Sequence, residues 1–209
     1  VQDCKDIKGK EYVLYYFLNW SKNRKLAETL TRLATYKHIS AGESILEAGQ
    51  RTNYICLVVS GLVRGFYIDE EGNDRTKCFS VPGDWCCSYN YLSDMPCPFY
   101  LEAEQDTVLA MFNIQDVDNI KEKFPILKTK IEELLAETMM KSEQRIYSFI
   151  SMEAKDRYML IMKEQPELIK TVKQEHIASY LGVTPSSLSR LKKICQHLPY
   201  DNYKALCRL

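Results

Sequence analysis

Glycine is the residue that most restricts what this chain can fold into, because it is so unevenly placed. Of eight glycines, six (Gly42, Gly49, Gly61, Gly65, Gly72, Gly83) fall between residues 42 and 83, whereas Gly182 stands alone after Lys121. Glycine opens tight turns and weakens helix interiors. The first part, where glycines sit among β-branched and aromatic residues, therefore predicts many short strands, and the glycine-poor second part predicts helices. A chain of 209 residues is long enough for two small domains with separate cores.

Ahead of the β region, Leu26, Leu30 and Leu33 recur at helical spacing and predict a short packing helix. From His38 onward, strands are expected at 44–47, 54–60, 62–68, 74–80, 100–104 and 108–112. Turn signals separate them at Ala41-Gly42-Glu43, Ala48-Gly49-Gln50, Ser60-Gly61 and the loop from Asp69 to Asn73. Short strands without intervening helices indicate an antiparallel roll, sandwich or barrel.

Pro125 suits the first turn of a helix, and nothing breaks the helical pattern until about Ser151. Leu127, Ile131, Leu134, Leu135, Met139, Ile146, Phe149 and Ile150 form an apolar stripe wider than one seam. Such a helix can pack on its own domain along one edge and on a second copy along the other; the alternative is a helix buried within one subunit. Residues 153–164 predict a further amphipathic helix closed near Pro166, and Ile169 to Val172 an extended piece.

The segment from Gln174 to Lys193 reads QEHIASYLGVTPSSLSRLKK. Two short helices crossing at close range need a small residue at the crossing, a residue that tolerates left-handed backbone at the turn, and a cap on the second helix. Ala178, Gly182 and Thr184 with Pro185 meet those needs. Ile177, Leu181, Val183, Leu188 and Leu191 supply the apolar contacts. The polar surface then comprises Thr184, Ser186, Ser187, Ser189, Arg190, Lys192 and Lys193, the candidate DNA-binding residues. Arg190 could bond bidentately to guanine in the major groove, the serines could reach bases or phosphates, and the lysines suit phosphates.

The balance of 28 Lys and Arg against 28 Asp and Glu says little, but residues 151–209 hold ten basic against six acidic residues. A basic C-terminal segment is compatible with duplex DNA as partner. The eight cysteines (Cys4, Cys56, Cys78, Cys86, Cys87, Cys97, Cys195, Cys207) include no C-x-x-C pair, so neither a zinc ribbon nor a thioredoxin-type site is indicated. The longest apolar run, Tyr12 to Leu18, is far short of the ~20 residues that span a bilayer. With no secretory leader in view, a cytoplasmic protein with mostly reduced thiols and no membrane partner is expected.

In its order of β-roll, long helix and helix-turn-helix, the chain resembles the Crp/Fnr superfamily of transcription regulators. The similarity is carried by Ala41-Gly42-Glu43 with Gly49, by Ser60-Gly61 and Pro82-Gly83-Asp84, and most specifically by IASYLGVTPSSLSRLKK. The string from Tyr100 to Asp106 is similar to the Bacteroidetes-type branch. The resemblance implies an α+β fold: an antiparallel β-roll of the cyclic-nucleotide-binding-like jelly-roll kind with N-terminal helices over 1–124, a dimerisation helix over 125–150, and a winged-helix-like helix-turn-helix domain over 151–209. It also implies a homodimer on a near-palindromic operator, with RNA polymerase and an unknown small-molecule effector as further partners.

Members that bind cyclic AMP pair a Gly-Glu with an Arg-Ser or Arg-Thr about ten residues later. Here Cys87-Ser88 and Pro98-Phe99 take those places. Without that arginine the cyclic phosphate would lack a charge partner, so cyclic AMP is disfavoured. Trp85, Cys86, Cys87, Ser88, Tyr89 and Phe99 are instead the candidate lining of a different effector pocket. Only Cys4 stands near the start, where the iron–sulfur branch has a cluster, and His38, His176 and His197 do not suit a haem ligand; no metal or cofactor is expected. Adjacent Cys86 and Cys87 fit either a redox or metal-responsive pair or two buried core residues. Ser186 stands where many relatives have Glu, which points to a different or looser operator, and the tail from Cys195 lacks a β-wing pattern. An enzyme on a cupin-like roll would need a His/Glu metal cluster that is not seen, so no catalytic residue is assigned. A sensor or interaction protein that no longer binds DNA is the competing function.

Overall fold

A computed structural model describes residues 2–195, with side chains from Ile7 onward, and divides into two compact units between Lys141 and Ser142. In the first unit, α1 (Gln2–Ser21) and α2 (Arg24–Leu33) precede β1 (Thr35–Ile39), β2 (Ser44–Leu46), β3 (Tyr54–Ser60), β4 (Val63–Ile68), β5 (Asp74–Ser80) and β6 (Trp85–Cys86). After a one-turn helix α3 (Tyr89–Leu92) come β7 (Tyr100–Ala103), β8 (Thr107–Asn113) and α4 (Ile114–Lys123). The strands make two four-stranded sheets, ordered β1-β8-β3-β6 and β2-β7-β4-β5, and their pairings are antiparallel. The α+β β-roll expected from the sequence is the fold observed.

The apolar run Tyr54–Ser60 is buried on both faces, and the period of two in a strand explains why. Leu57 and Val59 join Val13, Phe17, Leu26, Leu30, Ala110 and Phe112 in a core shared with the helices. Cys56 and Val58 point the other way, into a second core with Val63, Leu101, Leu109, Phe99 and three more cysteines. At the β3–β4 turn Gly61 has φ +86, and a Cβ there would lie 2.4 Å from the Asp106 carbonyl oxygen, so only glycine fits.

Helix α5 (Pro125–Ser151) begins in the first unit and ends in the second, where α6 (Ala154–Glu164), α7 (Pro166–Thr171), α8 (Gln174–Leu181) and α9 (Pro185–Cys195) follow. The extended piece expected at Ile169 to Val172 is mostly helical: Pro166 starts α7, Leu168 is buried, and Val172 closes the helix by bonding to the Leu168 carbonyl. Proline at the first position and one buried leucine outweighed the β-branched Ile169 and Val172. The expectation for the tail beyond Cys195 lies outside the described residues. Among the described residues no helix is long and apolar enough to cross a membrane.

Candidate nucleic-acid interface

The turn between α8 and α9 is built by local chemistry. Gly182 has φ 69 and ψ 36; its amide bonds to the Ser179 carbonyl at 3.0 Å and the Val183 amide to the Ala178 carbonyl at 3.0 Å. This pair of bonds satisfies the Ser179 and Ala178 carbonyls in the last turn of α8 and requires the left-handed conformation at Gly182. Thr184 then caps α9: its Oγ1 accepts from the Ser187 amide at 3.2 Å. Ile177, Ala178, Leu181 and Leu188, all 1% exposed or less, lock the two helices together.

A Cβ on Gly182 would also stand 2.7 Å from Cε1 of Phe149. Gly182→Ala is therefore expected to destabilise the helix-turn-helix unit by about 1–3 kcal/mol, chiefly through backbone strain and partly by displacing that ring. Thermal unfolding checks it, and an unchanged midpoint would count against the turn geometry.

The second helix presents Thr184, Ser186, Ser189, Arg190 and Lys193 to solvent, while Ser187 and Lys192 are half-buried. Among the described residues Arg190 reaches only Ser187 Oγ, at 3.4 Å and exposed, so its guanidinium retains donors for a ligand. Lys192 is placed differently: its ammonium bonds to Gln174 at the start of α8, and burial lowers its pKa. No acidic residue occupies the first turn of α9. The exposed end of the helix thus combines hydroxyls and an arginine, a surface suited to phosphates and base edges.

Two arginines that the sequence did not single out hold this unit in shape. Arg157 on α6 donates from Nε and Nη2 to the Leu181 carbonyl at 3.1 and 2.9 Å, and from Nη1 to the Met152 carbonyl at 2.6 Å. Arg145 donates to the Tyr180 carbonyl at 2.6 Å and lies 3.6 Å over the Tyr180 ring. Both bond to carbonyls left open at helix ends, and no spacing rule connects a mid-helix arginine with a carbonyl 24 or 35 residues later.

The residues expected to line an effector pocket do not all meet. Trp85 packs with Phe17 and Phe112 against the helices, and its indole donates to the Tyr16 hydroxyl at 2.9 Å. Ser88 lines, with Trp85, a small apolar cavity on the same side. Cys86, Cys87 and Phe99 are buried in the other core with Tyr89 packed against it, and Tyr89 meets the Phe99 ring edge-on at 6.0 Å. The buried arginine among the described residues, Arg64, is already bonded to Asp74 at 2.8 Å, Glu102 at 3.0 Å and Thr76 at 3.3 Å.

Residues 36–124 match the cyclic nucleotide-binding domain family. The chain is 24% identical over 200 residues to the anaerobic regulatory protein of Haemophilus influenzae, covering 90% of this chain and 76% of that protein. It is 21% identical over 199 residues to the fumarate and nitrate reduction regulatory protein of Vibrio cholerae, covering 90% and 78%. Among solved structures, FixK2 from Bradyrhizobium japonicum superposes with a TM-score of 0.68 at 20% identity, over 78% of this chain and 84% of that one. A structure from Eubacterium rectale assigned to the Crp/Fnr family of transcriptional regulators gives 0.67 at 19% identity, over 87% and 88%.

Proposed function

We propose that this chain, a DNA-binding transcription regulator of the Crp/Fnr type, works as a cytoplasmic homodimer on a near-palindromic operator and without cyclic AMP. The observation that carries the reading is the exposed face of α9, where Arg190 is free to read a base edge from a capped helix held rigidly on α8. The dimer reading is supported by α5, which leaves Met139, Met140, Ile146 and Ile150 exposed on a single chain. The protein acts as a regulator and not as an enzyme; RNA polymerase is a further partner, and the string from Tyr100 to Asp106 supports the Bacteroidetes-type branch.

Independence from cyclic AMP is supported by the roll itself. A cyclic phosphate needs a cation, but Arg64 is taken by two carboxylates, and Cys87-Ser88 and Pro98-Phe99 offer no guanidinium. A calorimetric titration with cyclic AMP should give no binding at micromolar concentrations; micromolar affinity would overturn this part of the proposal.

DNA binding is tested by selecting genomic fragments retained by the purified protein, then titrating the selected operator and a scrambled duplex against salt. Tighter, salt-dependent binding to the operator is expected. Lys193→Ala should weaken both duplexes and lower the salt slope by about one unit per phosphate contact. Lys192→Ala should change the slope less, because that ammonium is already engaged by Gln174. Equal affinity for both duplexes would reject sequence-specific binding.

A further inference from the structure

We propose that Cys56, Cys86 and Cys87 form a thiol redox site within the β-roll, in which a hydroperoxide oxidises Cys56 and Cys86 to a disulfide. Cys56 on β3 and Cys86 on β6 are directly opposed partners in the sheet register. Opposed residues of an antiparallel pair stand roughly 4.5–5.5 Å apart at Cα, inside the range of about 4.4–6.8 Å that a disulfide spans. The third thiol is brought in by an unusual backbone. Neighbouring residues of a strand point to opposite faces, yet Cys86 and Cys87 lie in the same buried cluster as Cys56. Cys87 achieves this with φ 57, a left-handed conformation that costs a residue with a Cβ about 1 kcal/mol or more.

The electrostatics favour one nucleophile among the three. The neighbouring thiols of Cys86 and Cys87, with Lys37, pull the pKa of Cys56 down to about 5, while the contact with Cys56 and burial push Cys86 and Cys87 up. Cys56 is thus the thiolate and Cys86 the protonated partner. Access comes from the sheet edge: β6 is a two-residue strand at the end of its sheet, so a local opening exposes the cluster to a molecule as small as hydrogen peroxide.

The reaction balances without any other reagent. The Cys56 thiolate attacks one peroxide oxygen, the O–O bond breaks, and the departing hydroxide leaves as water after taking up from solvent the proton that Cys56 had released on ionising, giving a sulfenic acid. The Cys86 sulfur then attacks the Cys56 sulfur, the S–O bond breaks, and hydroxide leaves with the Cys86 proton as a second water. The two sulfurs lose two electrons and the peroxide gains them.

The test uses the full chain, reduced with a phosphine, freed of reductant and exposed to a few equivalents of hydrogen peroxide. Two of its eight thiols should be lost, and peptide mapping should find a Cys56–Cys86 linkage that dithiothreitol reverses. Cys87→Ser should still form it. In the double variant Cys86→Ser with Cys87→Ser, oxidation should stop at a Cys56 sulfenic acid that dimedone traps, and Cys97→Ser, in the same core, should behave like the parent. Retention of all thiols, or a bridge that leaves Cys56 or Cys86 reduced, would overturn the proposal. These readouts are covalent and stand whether or not the chain binds DNA.

Discussion

Replacing Met139 and Ile146 by lysine is expected to leave the chain monomeric and to lower its affinity for a near-palindromic operator by about 100-fold or more. Both side chains are exposed on the isolated chain, at 65% and 51%, so the change costs the protomer's own core little. They stand seven residues apart on one continuous helix, hence on one face. In a two-fold pair, each lysine would bury an unpartnered charge against the apolar stripe of the other copy. A monomer would engage one half-site and lose the high effective concentration that the first contact confers on the second. Light scattering at micromolar concentration reads the mass. A parent protein that is itself monomeric, or a variant that stays dimeric, would refute pairing through α5.

The second large effect is expected at Arg190. If its guanidinium spans the two acceptors of a guanine, alanine should cost roughly 1–3 kcal/mol per half-site and relax the base preference at that position. Since a dimer presents the residue twice, about one helical turn of ~10 base pairs apart, the loss should appear at two symmetric positions. Ser187→Ala is a useful companion, because its hydroxyl both receives Arg190 and lies beside the Thr184 cap; it should weaken specific binding by a smaller factor without abolishing it. Binding of Arg190→Ala to operator and scrambled duplex as tight as the parent's would remove α9 from the interface.

Legibility from sequence varied with how local the cause was. The α8–α9 turn was readable residue by residue, since Gly182, Thr184 and Pro185 each answer to the conformation of their own backbone. The long helix was readable because Pro125 opens it and its stripe persists to Ser151. Strand β6, by contrast, is two residues long and exists through its pairing with β3. The strand β1 begins at Thr35, ahead of the expected β region, and is defined by its register on β8. The second helical segment after Pro166 looked extended because β-branched residues favour strands in general, while in this unit burial of Leu168 decided the matter.

The candidate pocket residues show the same division. Trp85 and Cys86 are adjacent in the chain, and grouping them on one wall ignored the alternation that sends the indole to the helices and the thiol into the roll. Lys192 and Lys193 likewise read as equivalent until Gln174 was found holding one of them.

What the sequence by itself determined is the kind of fold and the shape of its helix-turn-helix: turn glycines, caps and apolar periods act over a few residues, and short-range sterics leave them little choice. What only the tertiary structure decided is which distant groups meet: Arg157 with the carbonyls of two helix ends, Arg64 with its carboxylates, Cys56 with Cys86 and Cys87. Those meetings depend on strand register and on the packing of elements far apart in the chain, and a shift of one residue in its strand would turn Arg64, Cys56 or Cys86 to the opposite face.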